Sequence, residues 1–249
     1  MDYGLTGKRA LVLGASRGLG AASAHLLAEE GAHVIRASRN VQDGESAEAV
    51  TLDLADPASV SALCDYIAQE PVDILVNNCG GPAAGPARGR STEQWSSAFN
   101  TMAASLFRIT DAAIPGMAER GWGRVVTIGS SGILQPIAGL ALSNGVRGAV
   151  AGWSKTLAEE VAPLGITVNM VLPGRIATDR VEELDASKAA ETGKTIAETV
   201  AASKATIPMG RYGEPAEFAA AIAFLCSTQA SYITGSMLRV DGGLIRGLG

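Results

Sequence analysis

The segment Gly14-Ala15-Ser16-Arg17-Gly18-Leu19-Gly20 lies between an apolar run, residues 10–13, and a stretch in which Leu19, Ala22, Ser23, Leu26 and Leu27 recur at helical spacing up to Gly31. A strand that turns into a helix through three glycines lets a bound group come close to the backbone. The first amides of the helix, with its dipole, then attract phosphate, and a dinucleotide pyrophosphate suits such a turn. Three glycines alone mark many tight turns. The strand before them and the helix after them narrow the choice to an α/β nucleotide-binding unit.

The rest of the chain continues the alternation. Strands are expected at residues 8–13, 33–37, 49–52, 73–77, 124–129, 166–172 and 236–240. Helical apolar periods fill the intervals. Val60, Leu63, Cys64 and Ile67 follow the Asp56-Pro57 start signal, and Trp95, Phe99, Met102 and Leu106 follow a capping box at Ser91 and Gln94, as one long helix. Val146, Val150, Trp153, Leu157 and Val161 mark another, and Phe218, Ile222 and Leu225 a last one behind Glu214-Pro215. This pattern predicts an α/β fold with a doubly wound, Rossmann-type parallel sheet and helices on both faces, as a single domain over residues 1–249. The polar segment between the second and third strands is too short for a crossover helix and is expected to be a stub or loop. Residues 175–211 are charged, Ala-rich and weakly periodic. They are expected to be irregular and to form a substrate lid, with Val181, Leu184, Ile196 and Val200 as its apolar contacts.

With 20 basic and 25 acidic residues, the net charge of −5 argues against nucleic acid or an anionic membrane surface as a partner. No apolar run is long enough to span a bilayer, and Met1-Asp2-Tyr3 leads almost directly into the first strand. No signal peptide is expected, and a cytoplasmic location is. Cys64, Cys79 and Cys226 are scattered, as reduced thiols would be, and offer no zinc site. His25 and His33 lie away from the strand C-termini where an α/β site forms, so no metal site is expected.

Further motifs close the expected strands: Asp53-Leu54, Asn77-Asn78-Cys79-Gly80, Ser130, and Pro173-Gly174-Arg175-Ile176-Ala177-Thr178. Tyr232-Ile233-Thr234-Gly235 and Val240-Asp241-Gly242-Gly243 follow near the C-terminus. Together with the glycine turn, this set resembles the short-chain dehydrogenase/reductase family over nearly the whole chain. The resemblance implies a nicotinamide dinucleotide held at Gly14, Ser16, Arg17, Gly18, Leu19 and Gly20. It puts Asp53 and Leu54 at the adenine, Asn78 and Gly80 on the ribose side, and Pro173, Gly174, Ile176 and Thr178 over the nicotinamide. It also implies a homotetramer built through the helices around Trp95 and Trp153 and the C-terminal strand.

Where an NAD-selective member carries a carboxylate at the end of the second strand, this chain has Ser38, followed by Arg39. Arg17 and Arg39 offer two guanidiniums to a 2′-phosphate and Ser38 offers a further donor, which favours NADP(H).

The family's catalytic set is Asn, Ser, Tyr and Lys. Ser130 matches the Ser; thirteen residues on, Ser143 stands at the Tyr position, with Arg147 at the Lys position and Met102 at the Asn position. A phenol of pKa about 10 can be tuned into a proton donor, whereas a serine hydroxyl is far too weak an acid. Arg147 stays protonated, so it can bind ribose hydroxyls or an oxyanion but cannot shuttle a proton. No Tyr occurs between Tyr66 and Tyr212. A branch resembling 3-oxoacyl-carrier-protein reductases shares the Gly80-Gly81-Pro82 loop and the Ser-Asn-x-x-Arg pattern.

The sequence thus leads to an atypical NADPH-dependent oxidoreductase. It would reduce a carbonyl, either an acyl-carrier-linked 3-oxoacyl group or a small ketone, with Ser130, Ser143 and Arg147 in the catalytic centre and water or substrate as proton source. Two other readings stand beside it: an NADP(H)-binding protein without turnover, and a non-redox enzyme on the same scaffold. Arg175 can meet an anionic substrate, whereas Arg88 and Arg90 are expected to be solubilising loop charges.

Overall fold

Apolar segments at Arg9–Leu13 (β1), His33–Ser38 (β2), Glu48–Thr51 (β3), Ile74–Asn77 (β4), Gly123–Ile128 (β5), Ile166–Pro173 (β6) and Met237–Val240 (β7) form the strands of the computed structural model, which describes residues 2–40 and 48–247. All pair in parallel, in the order β3-β2-β1-β4-β5-β6-β7. The chain leaves β1 in one direction for β2 and β3, then crosses back to β4. The strand order therefore reverses between β1 and β4, and a crevice opens beyond their C-terminal ends. Among the described residues no helix is long and apolar enough to cross a membrane.

Gly18–Glu29 (α1), Pro57–Gln69 (α2), Thr92–Phe99 (α3), Ser105–Glu119 (α4) and Ala141–Val161 (α5) cover the sheet, followed by Asp179–Thr192 (α6), Ile196–Ala205 (α7) and Pro215–Cys226 (α8). Strands buried on both faces read as continuous apolar runs, because alternate residues serve two different cores. On one face Val12, Val76 and Val126 meet Leu27 of α1 and Phe218 and Ile222 of α8. On the other, Leu11, Leu75 and Val125 meet Leu63 of α2, Ile109 of α4 and Val150 of α5.

Local sequence signals set several of these boundaries. The Asp56 carboxylate accepts the Ala58 amide at 3.0 Å and Pro57 fills the first turn of α2. Ser91 and Gln94 exchange hydrogen bonds as a complete capping box at the start of α3. The single helix expected beyond Ser91 runs on through Trp95, Phe99, Met102 and Leu106, its backbone helical throughout, and widens into a π-turn at Asn100–Ala104 between α3 and α4. There the Ser105 hydroxyl engages the Asn100 and Leu54 carbonyls, each at 2.8 Å. Such a side chain inserted in the helical ladder accounts for a local widening.

The irregular segment expected at residues 175–211 contains two helices, α6 and α7. Their buried residues are Asp185 and Ala189, and Thr199 and Ser203, so no apolar stripe announces them. The stub or loop expected between β2 and β3 falls on residues 41–47, outside the described residues. His33 opens β2 with its ring against Glu48 at 3.2 Å, and His25 faces Glu29 at 3.3 Å, both away from the crevice.

Candidate functional site

β1 passes into α1 through a turn that only glycine builds. Gly14 and Gly18 have φ of 61° and 58°, in the left-handed region that strains any residue bearing a Cβ. Gly20 is required for space. A Cβ there would collide with the Gly14 carbonyl oxygen and stand 2.7 Å from the Asn78 side-chain nitrogen. Asn78, just beyond β4, donates through Nδ2 to that same carbonyl at 3.2 Å and fixes the turn to the neighbouring strand end. Arg17 at the N-cap makes no side-chain cap to α1, and the first turn carries no acid. The leading amides are thus uncapped and the positive end of the helix dipole is not neutralised locally, a backbone cradle that fits a pyrophosphate.

The remaining residues assigned to the cofactor lie in this turn or beyond the C-terminal ends of the neighbouring strands. Ser16 is exposed and Leu19 half-buried. Thr178 approaches the turn from across the crevice, its Cγ2 lying 3.7 Å from where a Gly18 Cβ would be. Ser38 is buried, with its hydroxyl donating to the Asn40 carbonyl at 3.1 Å, and Arg39 is exposed at the end of β2. Asp53 accepts the Ala55 amide at 2.9 Å, and the Leu54 carbonyl takes the Ser105 hydroxyl described above. Gly80 is exposed beyond β4, with open space around its Cβ position. Pro173 pairs with Val240, and Gly174 packs so tightly on β7 that a Cβ would stand 2.7 Å from the Asp241 Cα. Ile176 is buried, and the Thr178 hydroxyl donates to its carbonyl at 3.3 Å. Arg17 lies 3.6 Å from Asp179 and 3.8 Å from Glu183, exposed ion pairs that solvent largely screens.

Ser130 follows the end of β5, which Arg147 reaches from α5, and Ser143 lies one helical turn before Arg147. The Ser130 oxygen accepts the Gly132 amide at 3.0 Å, which leaves its proton free to donate elsewhere. Ser143 is half-buried. Asn144 braces the loop between Ser130 and α5, exchanging bonds with both the amide and the carbonyl of Ile137, at 3.3 and 2.8 Å. Gly145 admits the ring of Trp95, which would lie 2.9 Å from a Cβ there. The Arg147 guanidinium donates from Nη1 to the Ile128 and Gly129 carbonyls at 3.0 and 3.2 Å, and from Nη2 to the Cys79 carbonyl at 3.4 Å. Arg147 therefore ties the ends of β4 and β5 together. Met102 is buried within the wide turn before α4. The Cys79 thiol is pushed above its ordinary value by burial, against the opposing charge of Arg147.

A cavity of about 640 Å³ lies under α6 and α7. Of the expected lid contacts, Val181, Ile196 and Val200 line it and Leu184 does not. Its wall also includes Asp185 and Tyr212, which the sequence does not single out. The Asp185 carboxylate takes Arg175 Nη1 at 2.8 Å and Tyr212 Oη at 2.7 Å. Arg175, expected to be available to an anionic substrate, is thus committed to an internal ion pair. Burial pushes the Tyr212 phenol above its ordinary value, and its bond to Asp185 acts in the same direction. Arg90, expected to be a solubilising charge, braces its own loop by donating to the Pro86 and Ala84 carbonyls at 3.2 and 2.8 Å.

A sequence profile of the family described as enoyl-(acyl carrier protein) reductase matches residues 14–245. The chain belongs to the short-chain dehydrogenase/reductase family. It is 39% identical to 3-oxoacyl-[acyl-carrier-protein] reductase FabG of Vibrio cholerae, over 96% of this chain and 98% of the relative. Among solved structures it is similar to L-sorbose reductase of Gluconobacter frateurii complexed with NADPH and L-sorbose, at 30% identity, full coverage of both chains (100% of each) and a TM-score of 0.92. YwfH, an NADPH-dependent reductase involved in bacilysin biosynthesis, superimposes with a TM-score of 0.91 at 27% identity, over 98% of this chain and 100% of that one. The chain is accordingly an oxidoreductase of the short-chain dehydrogenase/reductase type.

The crowding at Gly20 gives a direct prediction. Gly20→Ala must displace the Gly14 carbonyl or the Asn78 side chain, at a cost of about 1–3 kcal/mol in stability. A lowered urea midpoint with an unchanged denaturant slope is expected; a midpoint equal to that of the parent contradicts the close crossing.

Proposed function

We propose that the protein is an NADPH-dependent carbonyl reductase with an altered proton-donating centre. The observation that carries this reading is the link between two halves of one crevice. Arg147 holds the Cys79 carbonyl, and the preceding residue, Asn78, holds the Gly14 carbonyl of the glycine turn. The dinucleotide turn and the Ser130 centre are joined through consecutive residues at the end of β4.

In this reading the glycine turn and the amides of α1 hold the pyrophosphate, Asp53 and Leu54 flank the adenine, and Asn78 and Gly80 lie at the ribose. Residues 173–178 cover the nicotinamide, which supplies the hydride when bound. Ser38 and Arg39 receive the 2′-phosphate, with Arg17 turning from Asp179 and Glu183 to join them; no carboxylate stands at residue 38 or 39 to repel it. Ser143 and Arg147 take the positions of the family's Tyr and Lys. Ser130 donates to the substrate carbonyl. Arg147 spends three of its five N–H groups on strand-end carbonyls and keeps the others, with its positive charge, for the developing oxyanion or the ribose. The proton comes from water or from the substrate, since neither Ser143 nor Arg147 is an adequate acid.

Residues 175–211 form the lid over the substrate. Asp179, Glu182, Glu183 and Asp185 line the cavity and Arg175 is already paired, so an uncharged small ketone is favoured over an anionic acyl-carrier thioester. Phe99, Met237, Leu238 and the fully exposed Tyr232 support a homotetramer formed through the helices around Trp95 and Trp153 and through β7. A second reading, an NADP(H)-binding protein without turnover, draws its support from the missing phenol.

Two experiments test the proposal. Arg39→Ala should weaken NADPH binding roughly ten- to a hundredfold and leave NADH binding unchanged, because a charge-assisted contact is lost. Equal affinity of the parent protein for the two cofactors in direct titration refutes the 2′-phosphate assignment. Ser130→Ala should raise the barrier by about 2.7–4 kcal/mol with NADPH affinity intact, and Ser143→Tyr combined with Arg147→Lys should raise ketone reduction above the parent. A doubly substituted protein that still binds NADPH without any gain favours the reading without turnover.

A further inference from the structure

Arg175, Asp185 and Tyr212 lie apart in sequence, outside the glycine turn and the Ser130 centre, and meet in the cavity wall. Asp185 points inward from the middle of α6 and is 1% exposed. Both of its oxygens are used, one by Arg175 at 2.8 Å and the other by Tyr212 at 2.7 Å. The two donors share one base. The Gly213 amide donates to the Arg175 carbonyl at 2.9 Å and the Ala177 amide to the Gly213 carbonyl at 2.8 Å, so Tyr212 and Arg175 are held side by side by backbone pairing. That base continues into β6, where the Gly174 amide donates to the Val240 carbonyl at 2.9 Å. The Arg175 guanidinium lies 6.0 Å from the Tyr212 ring centroid.

We propose that Arg175, Asp185 and Tyr212 are positioning residues, a latch that seats α6 on the strip of residues 173–178 and holds the nicotinamide end of the crevice closed. The physical basis is the cost of a buried carboxylate. With both donors in place Asp185 is satisfied, and displacing α6 leaves an unpaired charge in a low-dielectric wall. The helix has few apolar contacts of its own, its buried residues being Asp185 and Ala189, so this polar contact defines its seat. The consequence for the nicotinamide rests on the cofactor reading above; the seating of α6 does not.

The test uses the full-length protein and two substitutions. Asp185→Asn removes the charge. Tyr212→Phe removes one hydrogen bond and strands no charge, so it reports on the latch if the first variant fails to fold. Thermal unfolding fixes a temperature at which each protein is folded. NADPH dissociation is then followed by stopped-flow fluorescence, and trypsin cleavage after Arg180, Lys188, Lys194 and Lys204 is timed with and without NADPH. The latch predicts dissociation about tenfold faster in Tyr212→Phe and faster still in Asp185→Asn, as expected for loss of a hydrogen bond to a charged group. Cleavage in α6 and α7 should accelerate in parallel. A role confined to overall stability lowers the melting temperature and leaves both rates at parental values, which overturns the proposal. If the parent protein binds no NADPH, the cofactor reading fails, and the cleavage rates without cofactor still decide the latch: faster in the variants supports it, equal rates overturn it.

Discussion

The structure turns on one crossing, where Gly20 at the start of α1 passes against the Gly14 carbonyl while the Asn78 amide nitrogen holds that carbonyl from the other side. Only hydrogen fits at Gly20, and only a glycine sits without strain at the φ of Gly14. Because β1 and β4 are neighbours at the point where the strand order reverses, this contact fixes the mouth of the crevice. The residue next to Asn78 presents its carbonyl to Arg147, and Arg147 reaches the end of β5, where Ser130 stands. The geometry of the second centre is therefore inherited from the first through backbone atoms.

Arginine suits that bridging place better than lysine. Its planar fork reaches three carbonyls on two strands at once, whereas a single ammonium is a point donor. The same chemistry removes a function, because a guanidinium does not release a proton near neutrality. In the proposed reductase the positioning and electrostatic parts of the centre persist in Arg147 and Ser130, and proton delivery passes to water or substrate. Asn144, next to Ser143, contributes by bracing the loop that carries Ser130 onward into α5.

What the sequence revealed is what is local. The glycine turn, the Asp56-Pro57 start and the Ser91–Gln94 box are each written within a few residues, and the buried strands appear as short apolar runs. Two helices at residues 179–205 escaped because their inward residues are Asp185, Ala189, Thr199 and Ser203, which produce no hydrophobic period. The long-range partners were equally hidden. Nothing near Arg175 in sequence points to Tyr212, and nothing near Arg147 points to the Cys79 carbonyl. The wide turn at Asn100–Ala104 follows from the Ser105 hydroxyl reaching across to Leu54, a contact that helical periodicity does not encode.

In the proposed reductase this crevice moves a hydride from NADPH to a carbonyl with Ser130 and Arg147, and no phenol, at the reacting centre. The most direct measurement supplies NADPH carrying deuterium at C4 of the nicotinamide, on the face that is transferred, together with small uncharged ketones. The alcohol formed is then analysed by mass spectrometry. Deuterium at the carbinol carbon, formed at a rate proportional to protein concentration and greatly reduced by Ser130→Ala, is the predicted result. A protein saturated with NADPH that yields no deuterated alcohol from any ketone offered, while a control carbonyl reductase forms it under the same conditions, contradicts it.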